Sequence, residues 1–344
     1  MTRDLVSLER RVPDADVLVV TNMWPRFPED AFGIFVRRQV DSLIDAGLRC
    51  DVMVINGHRS PLAYGAAAVR MARLAVGTSA RYRLVHAHGG ETAVPARMYV
   101  RSPLLVSYCG SDLLGVWDDD QPVAQSWRMR RAVVRESSRL AQATITKTAE
   151  LERCLPRTSR RRNTVVPNGV DRHLFRPIPR EEARARVGWD AHERIVLFAA
   201  DPSVGTKRVE LAMATCEEAR SRGCPVRLHV AGHTPPDQMP LLMSAADCLL
   251  VTSIAEGSPN VVKEALACDL PIVSTPVGDV RALLAGVAPS AVAEAHPEAL
   301  ASALIECILD PVRSNGRGQS RWLDEREIAN RILDIYRGLV PGVV

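Results

Sequence analysis

An α/β fold made of two doubly wound parallel sheets is what the sequence predicts, on three observations. Short apolar runs of the buried-strand kind alternate with helical stretches along nearly the whole chain. The alternation pauses in a polar, proline-containing stretch at 171–180 and then restarts. The length, 344 residues, suits two domains each with its own core.

In the first half, DVLVV (16–20) reads as a buried strand, a long loop (TNMWPRFPEDAFG) follows, and a helix IFVRRQVDSLIDAG closes at Gly47. Strands are expected at 50–55, 84–88, 104–108, 143–146 and 164–167. Helices belong near 62–76, 92–100 and 123–140, with a short one after 146. Residues 1–13 read as a disordered lead-in. The second half predicts strands at 194–199, 226–231, 248–252 and 271–275 and a short one near 289–293. Its helices are expected at 207–221, 238–245, from about Pro259, at 279–285, at 297–309 and at 322–338. These are Rossmann-like halves, and no internal repeat or low-complexity segment interrupts them.

Composition narrows the classes of function. Hydrophobic residues make up 47% and charged residues 24%, as in a globular protein. No apolar run approaches the ~20 residues of a membrane span, and the first residues lack a signal peptide's apolar core, so a cytoplasmic protein is expected. Eight scattered cysteines without a C-x-x-C pair argue against a zinc site or a disulfide framework. A net charge of +4 does not imply nucleic acid. The basic clusters at 128–139 and 157–162 read as solvated faces, with contact to the inner membrane surface the minor alternative. Of the 44 basic residues only Lys147, Lys207 and Lys263 are lysines. In a chain so biased to arginine, a lysine marks a place where a compact ammonium is wanted.

Residues 249–278, LLVTSIAEGSPNVVKEALACDLPIVSTPVG, organise the rest. Ser258 and Pro259 fit an N-cap and first helical position. Val261, Val262, Ala265 and Leu266 form an apolar stripe, opposite a polar face of Asn260, Lys263 and Glu264. A helix N-terminus is a ready phosphate site, and Glu256 stands just ahead of it. A plain scaffold helix is the bland alternative.

Glu256 and Glu264, eight apart in EGSPNVVKEALAC, resemble the E-x7-E signature of glycosyltransferase family 4, whose members have the GT-B fold. PNGVD at 167–171 with Phe175 and Pro177, GIFVRRQ at 33–39 and CGSDLLG at 109–115 resemble further segments of that family. The resemblance implies two Rossmann-like domains facing across a cleft. An acceptor-side domain is expected at 1–175, a donor domain at 176–320, and a helix at 321–344 that crosses back to the first domain. It implies a retaining, metal-independent transfer of a sugar from a nucleoside diphosphate sugar, which serves as co-substrate with no other cofactor. The acceptor, a small molecule, glycan or lipid-linked group, is left open.

The resemblance also distributes roles. Lys207, with Arg208, clamps the diphosphate, the alternative being a surface lysine at a helix start. Glu256 meets the donor sugar and Glu264 the ribose. Backbone from Gly257 through Ser258, Pro259, Asn260 and Val261 completes the donor pocket, and Gly33 lets backbone approach the diphosphate. His86 and His88 point to one face of a strand, one as a core histidine and His88 as the site histidine beside Gly89 and Gly90. Asp112 contacts the acceptor. Glu256, Lys207 and His88 are thus the catalytic candidates. The acidic triplet Asp118, Asp119 and Asp120 reads as a solvated turn, away from the donor motifs, rather than a metal site. Three departures from the family pattern stand out. Cys109 replaces a histidine common in relatives, Asp201 and Pro202 stand where an arginine often precedes the clamp, and the 226–252 segment lacks room for a further strand. A nucleotide-sugar 2-epimerase and a donor-binding protein without catalysis are the alternatives.

Overall fold

The computed structural model describes residues 5–27, 30–77, 82–115, 117–118, 121–122, 125–232, 234–309 and 312–343. His233, Asp119 and Asp120 lie outside them. The chain divides into two compact units.

The first unit comprises residues 1–116, 123–168 and 325–344. Its strands are β1 (Val6–Arg10), β2 (Val17–Thr21), β3 (Cys50–Ile55), β4 (Leu84–His88), β5 (Leu104–Tyr108), β8 (Ala143–Thr146) and β9 (Asn163–Val165); the intervening β6 (Trp117–Asp118) and β7 (Gln121–Pro122) form a separate ribbon that belongs to the second unit. The seven run in the order β1-β3-β2-β4-β5-β8-β9. All pair in parallel except β1, which is antiparallel to β3 with Val6 opposite Ile55. The expected disordered lead-in is therefore corrected: 6–10 close one sheet edge, and Arg70 ties them down by donating to the Val6 carbonyl at 3.2 Å. The inner strands are buried on both faces, which is why they read as unbroken apolar runs. The helix Glu325–Leu339 packs in this unit. Its stripe of Ile328, Ala329, Ile332, Leu333 and Tyr336 lies against Val17, Val19, Val52, Leu84 and Leu105.

The second unit comprises 117–122 and 169–324, so the division falls at 168/169, whereas 175/176 was expected. Phe175 lies buried in this unit's core. Five parallel strands, β10 (Ile195–Phe198), β11 (Arg227–Val230), β12 (Cys248–Val251), β13 (Ile272–Ser274) and β14 (Ala291–Val292), run in the order β11-β10-β12-β13-β14. Between β11 and β12 stands only the helix Met239–Ala245 among described elements. Both sheets are of the doubly wound type, in which ligands gather at the carboxyl ends of the strands.

Candidate functional site

In the second unit the carboxyl ends of β10 and β12 and the helix Asn260–Ala267 bring the donor-side residues together. After β10 the chain makes a turn in which Asp201 accepts hydrogen bonds from the Ser203 N–H (2.9 Å) and hydroxyl (2.7 Å). A single 3-10 turn, Gly205–Lys207, follows. Lys207 therefore precedes the helix Val209–Ser221 rather than opening it, and Arg208 adopts a left-handed backbone (φ 50°) between the two. The turn is sewn to the end of β12. Thr252 donates its hydroxyl to the carbonyls of Lys207 (2.7 Å) and Arg208 (2.9 Å), and Arg208 Nε returns a bond to the Thr252 carbonyl (2.8 Å). Arg208 thus braces the loop that carries the lysine.

Lys207 Nζ and Glu256 Oε1 are bonded to each other, and Ser253 Oγ donates to the same carboxylate oxygen at 2.8 Å. Their side chains are 31% and 16% exposed. Two groups read as separate contacts to a donor form one ion pair, set ahead of a helix N-terminus whose N–H groups carry partial positive charge. Lys207 and Glu256 are both open enough to exchange this bond for one to a ligand.

The helix itself differs from expectation in two respects. It begins at Asn260, with Pro259 as the capping position and no side-chain cap. Pro259 contributes no N–H, so donors can come only from its neighbours. The Ser258 hydroxyl turns away to donate to Asp279 Oδ2 at 2.9 Å. Lys263, assigned to the polar face, is fully buried, with Nζ 3.4 Å from the Ser258 carbonyl. Burial pushes the Asp279 carboxyl up, and Lys263 pulls it back. Lys263, Asp279 and Ser258 thus lock the helix start from inside, while Asn260, Val261 and Glu264 stay part-buried. Gly278 (φ 51°) completes the lock, since a Cβ there would fall 2.7 Å from the Gly257 carbonyl oxygen and 3.0 Å from that of Glu256. Sequence reasoning missed Ser253, Thr252, Gly278 and Asp279, whose roles depend on partners from other strands.

One negative judgement is also corrected. Residues 117–122 belong to the second unit, and the strand Trp117–Asp118 packs on the turn Gly205–Lys207. Asp118 therefore belongs to a strand beside the turn of Lys207, not away from the donor motifs, while Asp119 and Asp120 lie outside the described residues. Among the described residues, no group of three or more His, Cys, Asp or Glu side chains is placed to hold a metal ion.

In the first unit the acceptor-side candidates gather at the carboxyl ends of β4 and β5. Gly33 (φ 73°) caps the helix Ile34–Asp45, and a Cβ there would lie 2.4 Å from the Met23 carbonyl carbon, so the two backbone segments touch. His86 is the core histidine: Nδ1 meets Tyr336 OH and Nε2 meets Ser107 Oγ, both at 2.7 Å. Burial pushes it down to about 3. His88 stacks on it with ring centroids 4.1 Å apart, is fully buried, and has no partner for Nε2. Burial, and then the nearby His86 and Lys147, hold His88 well below the usual histidine range, so both rings are neutral.

Asp112 accepts from four backbone N–H groups, those of Gly90 (3.0 Å), Cys109 (3.1 Å), Gly110 (2.9 Å) and Leu113 (3.1 Å). It shapes the loop rather than offering a free carboxylate. Burial pushes the Cys109 thiol up to about 12, so it is a neutral thiol and no general base. Nearby, Glu91 accepts from Tyr64 OH (2.7 Å) and Asn22 Nδ2 (3.0 Å) and pairs with Arg130, a network the sequence did not disclose.

No helix among the described residues is long and apolar enough to cross a membrane.

Residues 194–310, the span that holds Lys207, Glu256 and Glu264, match the family model described as glycosyl transferases group 1. The chain is 30% identical over 215 residues to a D-inositol 3-phosphate glycosyltransferase of Thermobispora bispora, a match covering 53% of this chain and 50% of the relative. The chain thus spans about half the length of that relative. A protein of the same description from Catenulispora acidiphila is 26% identical over 309 residues, 76% of this chain and 73% of the relative. Among solved structures, the sucrose-phosphate synthase of Thermosynechococcus elongatus superposes with a TM-score of 0.76 at 19% identity, over 94% of this chain and 99% of that one. Anabaena HepE in complex with UDP-glucose gives 0.69 at 17% identity, over 94% and 100%. The fold is therefore GT-B, two Rossmann-like α/β domains, and residues 194–310 carry the glycosyl transferases group 1 domain.

Proposed function

We propose that this protein is a family 4 type glycosyltransferase, moving a sugar from a nucleoside diphosphate sugar to a hydroxyl-bearing acceptor, with retention at the anomeric carbon and without a metal ion. The observation that carries the reading is the Lys207–Glu256 pair at the strand ends of a group 1 domain, ahead of the helix Asn260–Ala267. Breaking the bond between the anomeric carbon and the phosphate oxygen leaves negative charge on the diphosphate. Lys207 exchanges Glu256 for that phosphate, and the released Glu256 meets the donor sugar as positive charge grows on its ring. Glu264, about one turn into the helix, takes the ribose hydroxyls. The new bond forms from the acceptor oxygen on the face the phosphate leaves, and the acceptor's proton passes to the departing phosphate oxygen. No protein nucleophile is required, and none of the neutral groups at His88 and Cys109 is asked to be one.

UDP-sugars are the first donors to try, because HepE was solved with UDP-glucose. A thermal-shift panel of nucleoside diphosphates and their sugars tests the reading, since a ligand that binds only the folded state raises the melting temperature. At least one diphosphate should do so in wild type and much less in Lys207→Ala. No response to any of them contradicts the proposal.

A further inference from the structure

The first unit buries a second lysine and leaves it unpartnered. Lys147 follows β8 directly and is 2% exposed, yet its Nζ makes no hydrogen bond. β4, β5 and β8 are neighbours in register, with His88 opposite Ser107 and Tyr108 opposite Thr146. Ser107 in turn stands opposite Ile145, so Cys109 and Lys147 lie two residues beyond the level of His88 at the same end of the sheet. His88 Nε2 is buried without a partner as well. An ammonium has three donors and no acceptor, and leaving one unsatisfied in the interior is costly. Two such atoms at the same sheet end, one on β4 and one just beyond β8 with β5 between them, mark a place made for a polar ligand.

Charge decides which kind. Lys147 lies in the field of Asp112, and that carboxylate is already engaged by four backbone N–H groups. Burial draws Lys147 below the usual lysine range, with Cys109 and Asp112 opposing that pull, and the buried histidines carry no charge. An anion would add an uncompensated buried charge; a hydroxyl adds none and can both accept and donate. We infer that Lys147 and His88 bind one hydroxyl of a neutral sugar or polyol, Lys147 donating to its oxygen and His88 Nε2 making the hydroxyl's second hydrogen bond. This rests on the transferase reading and names its acceptor class, a hydroxyl compound held away from any phosphate it carries elsewhere.

The test titrates UDP, and then myo-inositol, glucose, fructose and inorganic phosphate with and without UDP, into wild type, Lys147→Met and Lys147→Gln by calorimetry. At least one of the three polyols should bind wild type and lose about tenfold or more in Lys147→Met. Lys147→Gln, which keeps a donor, should retain part of that affinity, and UDP should bind all three proteins within about twofold. Circular dichroism verifies that the variants fold. If no polyol binds wild type, if polyol affinity is unchanged in both variants, or if phosphate is the ligand that Lys147→Met loses, the inference is overturned. Failure of every nucleoside diphosphate in the thermal-shift panel to bind overturns the transferase reading instead, and the polyol arm without UDP still decides the inference.

Discussion

The two units solve opposite problems with the same residue type. In the second unit Lys207 is a third exposed and paired to Glu256, so its charge is matched before any ligand arrives. In the first, Lys147 is buried and its Nζ makes no hydrogen bond. A partly exposed pair costs less to hold and to break than a buried one, because water still reaches both partners. It suits a charged ligand that must displace a carboxylate and later leave. A buried, unpaired donor costs far more and gains its compensation only from a ligand that reaches it. The contrast is the basis for proposing an anionic ligand at the first lysine and a neutral one at the second.

The largest effect is expected on turnover. Glu256→Gln should lower kcat by on the order of tenfold to thousandfold, since a contact to the reacting sugar strengthens in the transition state. UDP affinity should hold or tighten, because Lys207 loses its competitor. A parallel loss of UDP affinity would make the pair structural. Next in size is Gly278→Ala. The new methyl group meets the Gly257 carbonyl at 2.7 Å from a left-handed backbone position, so the loop bearing Glu256 must move. A loss of roughly 2 kcal/mol in UDP binding or folding is expected, read by calorimetry and urea unfolding. Unchanged values in both would show that this loop does not need its present shape.

Glu264→Gln should be milder and different in kind, raising KM for the donor more than it lowers kcat, because ribose contacts are equal in ground and transition states. The same kinetic signature as Glu256→Gln would break the division of roles. Excess EDTA should have no effect on turnover. The position of Trp117–Asp118 on the Lys207 turn sharpens this test, for loss on chelation and recovery with magnesium would reassign that acidic stretch to a metal.

The smallest effect concerns pH. His86 is pushed down to about 3 in the fold, against about 6.5 for an unfolded histidine. Between these values the unfolded chain binds the extra proton, so His86 contributes stability above pH 6.5 that is lost progressively as pH falls toward 3. The drop in urea midpoint from pH 7 to pH 5 should be shallower in His86→Gln than in wild type. Equal slopes would contradict a neutral buried ring.

Much of the fold was legible because parallel strands buried on both faces read as apolar runs, from Val17–Thr21 to Ile272–Ser274. Val6–Arg10 escaped notice because VSLER is a half-exposed edge strand, specified by its long-range partner β3 rather than by its own pattern. Lys263 was misplaced because helical spacing assigns faces by polarity, and a lysine that enters the core to reach the Ser258 carbonyl defeats that rule. The ribbon of Trp117–Asp118 and Gln121–Pro122 leaves one unit for the other, which no local signal announces. The glutamate spacing and the scarcity of lysines did pick out Glu256 and Lys207. Their bond to each other, across 49 residues, belongs to the loops after β10 and β12 and was not in the sequence. The same scarcity pointed to Lys147, but nothing local said that its ammonium would be buried.

The most direct test of the donor-site account is calorimetric titration of UDP into wild type, Lys207→Ala, Glu256→Gln and the double variant. The account predicts that Lys207→Ala weakens UDP binding by roughly 2 kcal/mol, about 30-fold, that Glu256→Gln does not weaken it, and that the double variant resembles Lys207→Ala. Equal UDP affinity in wild type and Lys207→Ala, with both proteins folded, would contradict it.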